Sequence, residues 1–140
     1  MAGVSQPFPK VVYPLAGSVF EVDPHYRVLS VVGQGLGGGL VCDAIDMRGQ
    51  GGRVAIKKLA HVLDEPIACK RLLRELLLLR NLKHDNLLNL HDIMLPPALN
   101  VLLWRDVYIV TDLMDTDLLY VINNKEPDLS DDPVQYPAFQ

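Results

Sequence analysis

Apolar and polar residues alternate loosely in three short stretches near the start of the chain. The stretches cover residues 26–32, 40–45 and 53–59, and each is rich in valine, isoleucine or leucine. Side chains of a strand alternate between the two faces of a sheet, so each stretch predicts a β-strand. Glycine-rich turns at 33–39 and 48–52 separate the three stretches. Because connections this short join only antiparallel strands, the pattern predicts an antiparallel meander.

The spacing of the apolar residues becomes helical after this meander. Leucines recur every three or four residues from Leu72 to Leu82, which predicts a helix over about 65–82. Asp64 is the expected N-cap of this helix. Additional leucines widen the apolar face, so we expect the helix to pack on the sheet and to meet something else on a second side.

Two further strands complete the predicted sheet. Residues 87–94 and 107–113 are the expected strands, and a short strand at 20–22 is a weaker expectation. Residues 1–19 contain three of the ten prolines and no strong periodicity, so they predict an N-terminal extension. The fold class expected is α+β, a five-stranded antiparallel sheet with one packed helix. Helical segments are predicted at 118–123 and from Ser130 onward.

The overall composition excludes several classes of protein. The chain has 140 residues, of which 49% are hydrophobic and 21% charged, and this suits one domain with a packed core. A net charge of −4 without a basic stripe argues against a nucleic-acid partner. Cys42 and Cys69 lack metal-ligand spacing and are expected to be reduced thiols. With no signal peptide or membrane-length apolar run, we expect a monomer in the cytoplasm or the nucleus.

Lys57 is the first candidate for chemistry. It follows Ala55 at a spacing of two, so both side chains should lie on one face of the third strand. A lysine on an otherwise apolar face is costly unless it is paired. Glu75 lies on the helix that should cover this face, which predicts a Lys57–Glu75 ion pair. The alternative is a surface pair between Glu75 and Arg71 one helical turn away.

The glycine-rich turn is the second candidate. Gly33, Gly35 and Gly39 fit either a dinucleotide fingerprint or a lid over phosphate groups. A dinucleotide site needs a helix directly after the glycines, whereas a strand is predicted here, and a Walker A loop is excluded because no Gly-Lys-Ser/Thr follows. A β-hairpin lid remains, in which backbone N–H groups approach phosphate oxygens. The alternative is an ordinary glycine hairpin without a ligand.

Residues 26 to about 140 resemble the small lobe, the hinge and the start of the large lobe of a mitogen-activated protein kinase (MAP kinase), a Ser/Thr protein kinase. On this resemblance, residues 20–113 are the small lobe, with the lid at 33–39, and residues 114–140 are the hinge and the truncated helical start of the large lobe. The motifs that carry the likeness are Val54-Ala55-Ile56-Lys57-Lys58, Lys70-Arg71-Leu72-Leu73-Arg74-Glu75, Lys83-His84-Asp85-Asn86, Asp106-Val107-Tyr108-Ile109-Val110, Asp112-Leu113-Met114-Asp115-Thr116-Asp117-Leu118 and Leu129-Ser130-Asp131-Asp132.

The resemblance implies roles for individual residues in binding ATP. Thr111 would be the gatekeeper of the adenine pocket, Asp112 and Met114 would offer backbone hydrogen bonds to adenine, and Asp117 would reach the ribose. Lys57 and Glu75 would form the ion pair that orients the phosphates, and Leu79 would join the hydrophobic spine. The complete implied ATP-binding set is Val32, Gly33, Gly35, Gly39, Val41, Ala55, Lys57, Thr111, Asp112, Met114 and Asp117.

The sequence also departs from the family pattern. An extra residue lies between Gly35 and Gly39, which predicts a weaker grip on phosphate because a longer glycine loop is costlier to order. Residues 1–140 contain no His-Arg-Asp loop, no Asp-Phe-Gly and no Thr-x-Tyr segment. The family binds Mg-ATP through a metal-binding aspartate, so no metal site is expected here. We therefore expect the isolated chain to be inactive.

Three interpretations follow from these observations. The first is a MAP kinase fragment, either a truncated product or an incomplete gene model, with ATP and an upstream kinase or docking proteins as partners. The second is a non-catalytic module that binds a nucleotide or a partner and competes with a full-length kinase. The third is a structural β-meander without a ligand.

Overall fold

A computed structural model describes residues 9–34, 39–94, 105–116 and Asn123. Within these residues, α1 spans Pro66–Asn81 and follows a 3-10 turn at Val62–Asp64. The helix predicted from Ser130 lies outside the described residues, as does the one at 118–123 apart from Asn123. The strands are β1 (Val11–Leu15), β2 (Ser18–Val22), β3 (Tyr26–Gln34), β4 (Leu40–Asp46), β5 (Gly52–Leu59), β6 (Leu90–Met94) and β7 (Val107–Asp112).

The main sheet contains five strands in the order β3-β4-β5-β7-β6, and every neighbouring pair is antiparallel. This arrangement confirms the predicted five-stranded antiparallel sheet with one helix. β5 lies at the centre, and β3 and β6 form the edges. No helix in the described part of the chain is long and apolar enough to cross a membrane.

A separate hairpin, β1–β2, was predicted only in part: β2 contains the short strand expected at 20–22, whereas β1 was not expected. Part of the expected extension at 1–19 forms β1, which pairs antiparallel with β2 in the register Val11↔Val22. All five residues of β1 are apolar, so the sequence lacks the alternation with polar residues that identifies a half-buried strand, and Pro14 argues against a strand. Its two-residue turn has positive φ at Ala16 (47°) and at Gly17 (74°), as a type I′ hairpin turn requires.

The hairpin covers one face of the main sheet. Phe20 is fully buried, and its ring meets that of Tyr108 edge-on, with centroids 5.9 Å apart. Lys58 Nζ donates a 2.6 Å hydrogen bond to the Val19 carbonyl and pairs with Asp106 at 3.0 Å. Aromatic packing and a charge-assisted hydrogen bond therefore attach the hairpin to β5 and β7.

Helix α1 covers part of the opposite face. Leu72 is buried in a cluster with Val62, Val107 and Ile109. A second group of apolar side chains on the helix is about half exposed, in agreement with the expectation that the helix has a second apolar side. This group consists of Leu73, Leu77, Leu78 and Leu82.

The predicted N-cap of the helix is wrong. Asp64 ends the 3-10 turn, and the N-cap is Glu65, whose side chain makes no capping bond. Pro66 at the first helical position keeps the preceding residue extended, so Glu65 takes the non-helical conformation of the cap. The Asp64 carboxylate instead accepts a 3.1 Å hydrogen bond from Arg105.

The first stability prediction concerns Gly39, which packs tightly against β5. A Cβ atom here would lie 2.9 Å from Leu59 Cδ2 and 3.0 Å from the Lys58 carbonyl oxygen. We expect Gly39→Ala to lower the free energy of unfolding by about 1–3 kcal/mol through overpacking. Gly33→Ala is the matched control, because a Cβ there has nothing within 4 Å. Equal melting temperatures for the two variants would contradict the tight packing.

The second stability prediction concerns the β1–β2 turn. An alanine at φ 47° is strained, whereas asparagine tolerates the left-handed region. We expect Ala16→Asn to raise the free energy of unfolding by about 0.5–1 kcal/mol. Gly17→Ala should lower it, since φ is 74° there. Urea denaturation of both variants measures the change, and a lower unfolding midpoint for Ala16→Asn would argue against the strain.

Candidate functional site

A cleft of about 880 Å³ lies beside α1, on the sheet face away from the hairpin. Its volume falls in the range of small-molecule sites, and apolar side chains with a few charged ones surround it. The described residues that line it are Val32, Val41, Arg53, Ala55, Lys57, Glu75, Leu79, Leu88, Ile109, Thr111, Asp112, Leu113, Met114, Asp115 and Thr116.

The alternation of β5 decides which of its side chains reach the cleft. Ala55 and Lys57 line the cleft, whereas Ile56 is fully buried in the core on the hairpin side. β7 adds the neighbouring positions, since Ala55 pairs with Thr111 and Lys57 pairs with Ile109. The two central strands thus place a small residue beside a hydroxyl, and a lysine beside an aliphatic side chain.

Lys57 and Glu75 form an ion pair on the wall of the cleft. Lys57 Nζ lies 3.4 Å from Glu75 Oε1, and the two side chains are 25% and 46% exposed. The partner of Glu75 among the described residues is thus Lys57 on the sheet, where the alternative was Arg71 on the same helix. A pair this exposed contributes about 0–1 kcal/mol to stability. Its main consequence is geometric, because the carboxylate holds the ammonium group inside the cleft.

Gly39, which directly precedes β4, leaves space for the side chain of Lys57. A Cβ atom on Gly39 would lie 3.4 Å from Lys57 Cε, so the missing side chain leaves room for the lysine stem. The predicted Gly33 lies at the exposed end of β3, and neither glycine lines the cleft. Gly35 lies outside the described residues.

The end of β7 forms the opposite side of the cleft. The Thr111 hydroxyl donates to the Asp112 carbonyl oxygen at 3.3 Å. Burial raises the pKa of the Asp112 carboxyl, but hydrogen bonds from Asn89 and His91 outweigh this effect and keep the pKa below its usual value. Asp112 is therefore ionised near neutral pH. Met114 is 59% exposed at the mouth of the cleft, and the predicted ribose contact, Asp117, lies outside the described residues.

Arg53 lines the cleft and was not predicted. It forms an ion pair with the buried carboxylate of Asp43 on β4. This hydrogen-bonded pairing raises the pKa of the Arg53 guanidinium, and the charge of Asp115 adds to the effect. The signal was present in the sequence, because Arg53 continues the alternation of Ala55 and Lys57 by two positions.

The cleft brings together most of the predicted residues. Those that line it are Val32, Val41, Ala55, Lys57, Glu75, Leu79, Thr111, Asp112 and Met114. The lining residues that sequence reasoning missed are Arg53, Leu88, Ile109, Leu113, Asp115 and Thr116. The roles assigned to all of these residues in nucleotide binding stay predictions.

One group of possible metal ligands lies outside the cleft lining. Asp23, His25 and Asp92 place ligand atoms within 4.8 Å of one another. Lys10 pairs with Asp23 at 2.5 Å, and Arg48 lies 3.7 Å from Asp92. The two carboxylates already have cationic partners, Lys10 beside β1 and Arg48 beside β4, so no metal is assigned to this group.

The chain is similar in sequence to several known protein kinases. No protein-family model matches the chain. Mitogen-activated protein kinase 4 of Oryza sativa subsp. japonica is 42% identical over 91% of this chain and 33% of its own length. Extracellular signal-regulated kinase 1 of Dictyostelium discoideum is 43% identical over 91% of this chain and 23% of its own length. Mitogen-activated protein kinase spk1 of Schizosaccharomyces pombe is 42% identical over 86% of this chain and 31% of its own length.

The chain thus spans 23% to 33% of the length of these curated relatives. The similarity covers the part of the sequence that forms the five-stranded sheet, α1 and the cleft. Sequence and fold together show that the chain belongs to the mitogen-activated protein kinase family over the portion that it spans.

Proposed function

We propose that the cleft binds ATP, and that these residues are the nucleotide-binding part of an ATP-dependent Ser/Thr protein kinase. The observation that carries the proposal is the Lys57–Glu75 ion pair on the wall of the cleft. In protein kinases a strand lysine paired with a helix glutamate contacts the phosphates. The order of elements matches as well, since the lysine lies on the third strand of the main sheet and the glutamate on the helix that follows.

The shape and chemistry of the cleft fit each part of an adenine nucleotide. Val41 and Ala55 supply an apolar surface for the base, and the residues after β7 line the cleft, where their backbone would offer hydrogen bonds to its edge. Lys57 supplies a positive charge near the end of the lid at Gly39, where the phosphates would lie. The volume of about 880 Å³ accommodates a ligand of this size.

The proposal for this chain is confined to binding. A catalytic base and a metal-binding aspartate complete the chemistry in protein kinases, and neither is assigned to residues 1–140. On the likeness to MAP kinases we also propose Mg-ATP as the bound form and an upstream kinase or docking proteins as macromolecular partners. We further propose a monomer in the cytoplasm or the nucleus.

The proposal predicts that the 140-residue chain binds MgADP through Lys57. Lys57→Met keeps the aliphatic stem and removes the charge. A charge-assisted hydrogen bond contributes about 1.5–3 kcal/mol, so the dissociation constant should rise by about tenfold or more. Isothermal titration calorimetry measures this change.

The matched control is Lys70→Met, which removes one charge from an exposed position of α1 outside the cleft lining. It should leave the dissociation constant within about twofold. If the wild-type chain takes up no nucleotide, or if both variants bind equally well, the proposed function is wrong.

A second prediction separates the orienting role of Glu75 from any role in stability. Glu75→Gln should change the free energy of unfolding by less than about 1 kcal/mol, because the pair is half exposed. The affinity for MgADP should nevertheless fall several-fold, since the lysine loses the group that orients it. Thermal unfolding and calorimetry on the same variant measure the two effects. A variant that loses stability and retains affinity would contradict this role.

A further inference from the structure

The edge strand β6 contains an extra residue where it pairs with β7. Leu90 lies opposite Thr111, but the next paired residue, Asp92, lies opposite Val110. His91 is therefore the unpaired residue of a β-bulge. Such bulges occur preferentially at sheet edges and beside functional sites, where they turn a side chain away from its regular direction. Here the bulge lies one pair from the end of β7, where the cleft begins.

The side chain of His91 contacts the carboxylate of Asp112. His91 Nε2 lies 2.6 Å from Asp112 Oδ1. The carboxylate can only accept, so the imidazole nitrogen is the donor. The other oxygen, Oδ2, accepts bonds from the Asn89 backbone N–H and from its side-chain Nδ2, both at 2.9 Å. Three donors from Asn89 and His91 therefore hold one carboxylate. Hydrogen bonds to an ionised acceptor are stronger than those between neutral groups.

The backbone of Asp112 is held as well. Its N–H donates to the Asn89 carbonyl at 3.3 Å, and its own carbonyl accepts from the Thr111 hydroxyl at 3.3 Å. Asp112, which lines the cleft, is thus held through its side chain, its N–H and its carbonyl. A hydrogen bond to a nucleobase depends on where that carbonyl lies, and a shift of a few tenths of an ångström weakens it.

We propose that His91 and Asn89 are positioning residues, which hold Asp112 so that its backbone carbonyl selects adenine over bases without an exocyclic amino group. The inference rests on the proposed function, because it concerns the base that the cleft accepts. A carbonyl acceptor favours the amino group of adenine and opposes the carbonyl of hypoxanthine. A rigid acceptor enforces this difference, whereas a mobile one can turn away from the wrong base.

The test compares the binding of MgADP and MgIDP to the 140-residue chain and to three variants. His91→Ala removes the donor, His91→Gln supplies an amide donor of similar reach, and His61→Asn is the control. His61 forms an exposed pair with Asp64 at 3.2 Å. It follows the end of β5, whereas Asp112 pairs with Val54 near the start of that strand. Asparagine also suits the positive φ of 53° at His61. Circular dichroism verifies that each variant is folded.

We expect His91→Ala to lower the ratio of IDP to ADP dissociation constants by about three- to tenfold, the effect of one hydrogen bond. His91→Gln should restore most of the ratio, and His61→Asn should leave it unchanged. If His91 had a role in stability alone, its replacement would weaken the binding of both nucleotides equally and leave the ratio unchanged. Hydrogen exchange at the amides of 112–115, measured without nucleotide, should increase in His91→Ala only.

The two proposals fail in different ways. If the wild-type chain binds ADP but His91→Ala keeps the same ratio, the positioning role is wrong and the proposed function stands. If the wild-type chain binds neither nucleotide, the proposed function is wrong and the selection of adenine falls with it. Unchanged hydrogen exchange at 112–115 in His91→Ala would overturn the clamp on Asp112 itself.

Discussion

Successive side chains of β5 point to opposite faces of the sheet, and the rest of the structure depends on this alternation. On one face Val54 and Ile56 are buried under the β1–β2 hairpin. On the other, Ala55 and Lys57 line the cleft beside α1. A shift of one residue in register would turn Lys57 toward the hairpin, leave Ile56 in the cleft and separate Lys58 from Asp106. The cost of an unpaired buried charge therefore helps to fix both the register of the sheet and the place of the site.

The ion pair that this alternation creates contributes through position more than through energy. Lys57 and Glu75 keep access to solvent, so their attraction adds little to stability. The helix is held instead by Leu72 and the cluster around it. Apolar packing thus fixes where Glu75 can lie, and the carboxylate then restricts the ammonium group. This division of labour leaves the charged pair adaptable, since the two side chains can separate while the packing around Leu72 stays intact.

The sequence predicted those parts of the fold and site that depend on local patterns. Alternating strands and the leucine helix were found because period two and period 3.6 are visible in the residues themselves. β1 was missed because its five residues are all apolar and include Pro14, and the helix cap was misplaced because Pro66 moved it to Glu65. Lys57 and Ala55 followed from alternation, which applies equally to Arg53. The contacts of Asp112 could not be foreseen, because they depend on a bulge in the pairing of two strands far apart in sequence.

That bulge shows how an edge strand can serve a site that none of its residues line. A regular β6 would continue the ladder from Asp92 through His91, and the imidazole would then project from a face of the sheet. The extra residue interrupts this ladder, which also makes the exposed edge a poorer template for pairing with another chain. The interruption gives His91 the freedom to reach the carboxylate at the end of β7. The same irregularity therefore limits the edge and fixes the peptide beside the cleft, and a substitution that restored regular pairing would be expected to lose both effects.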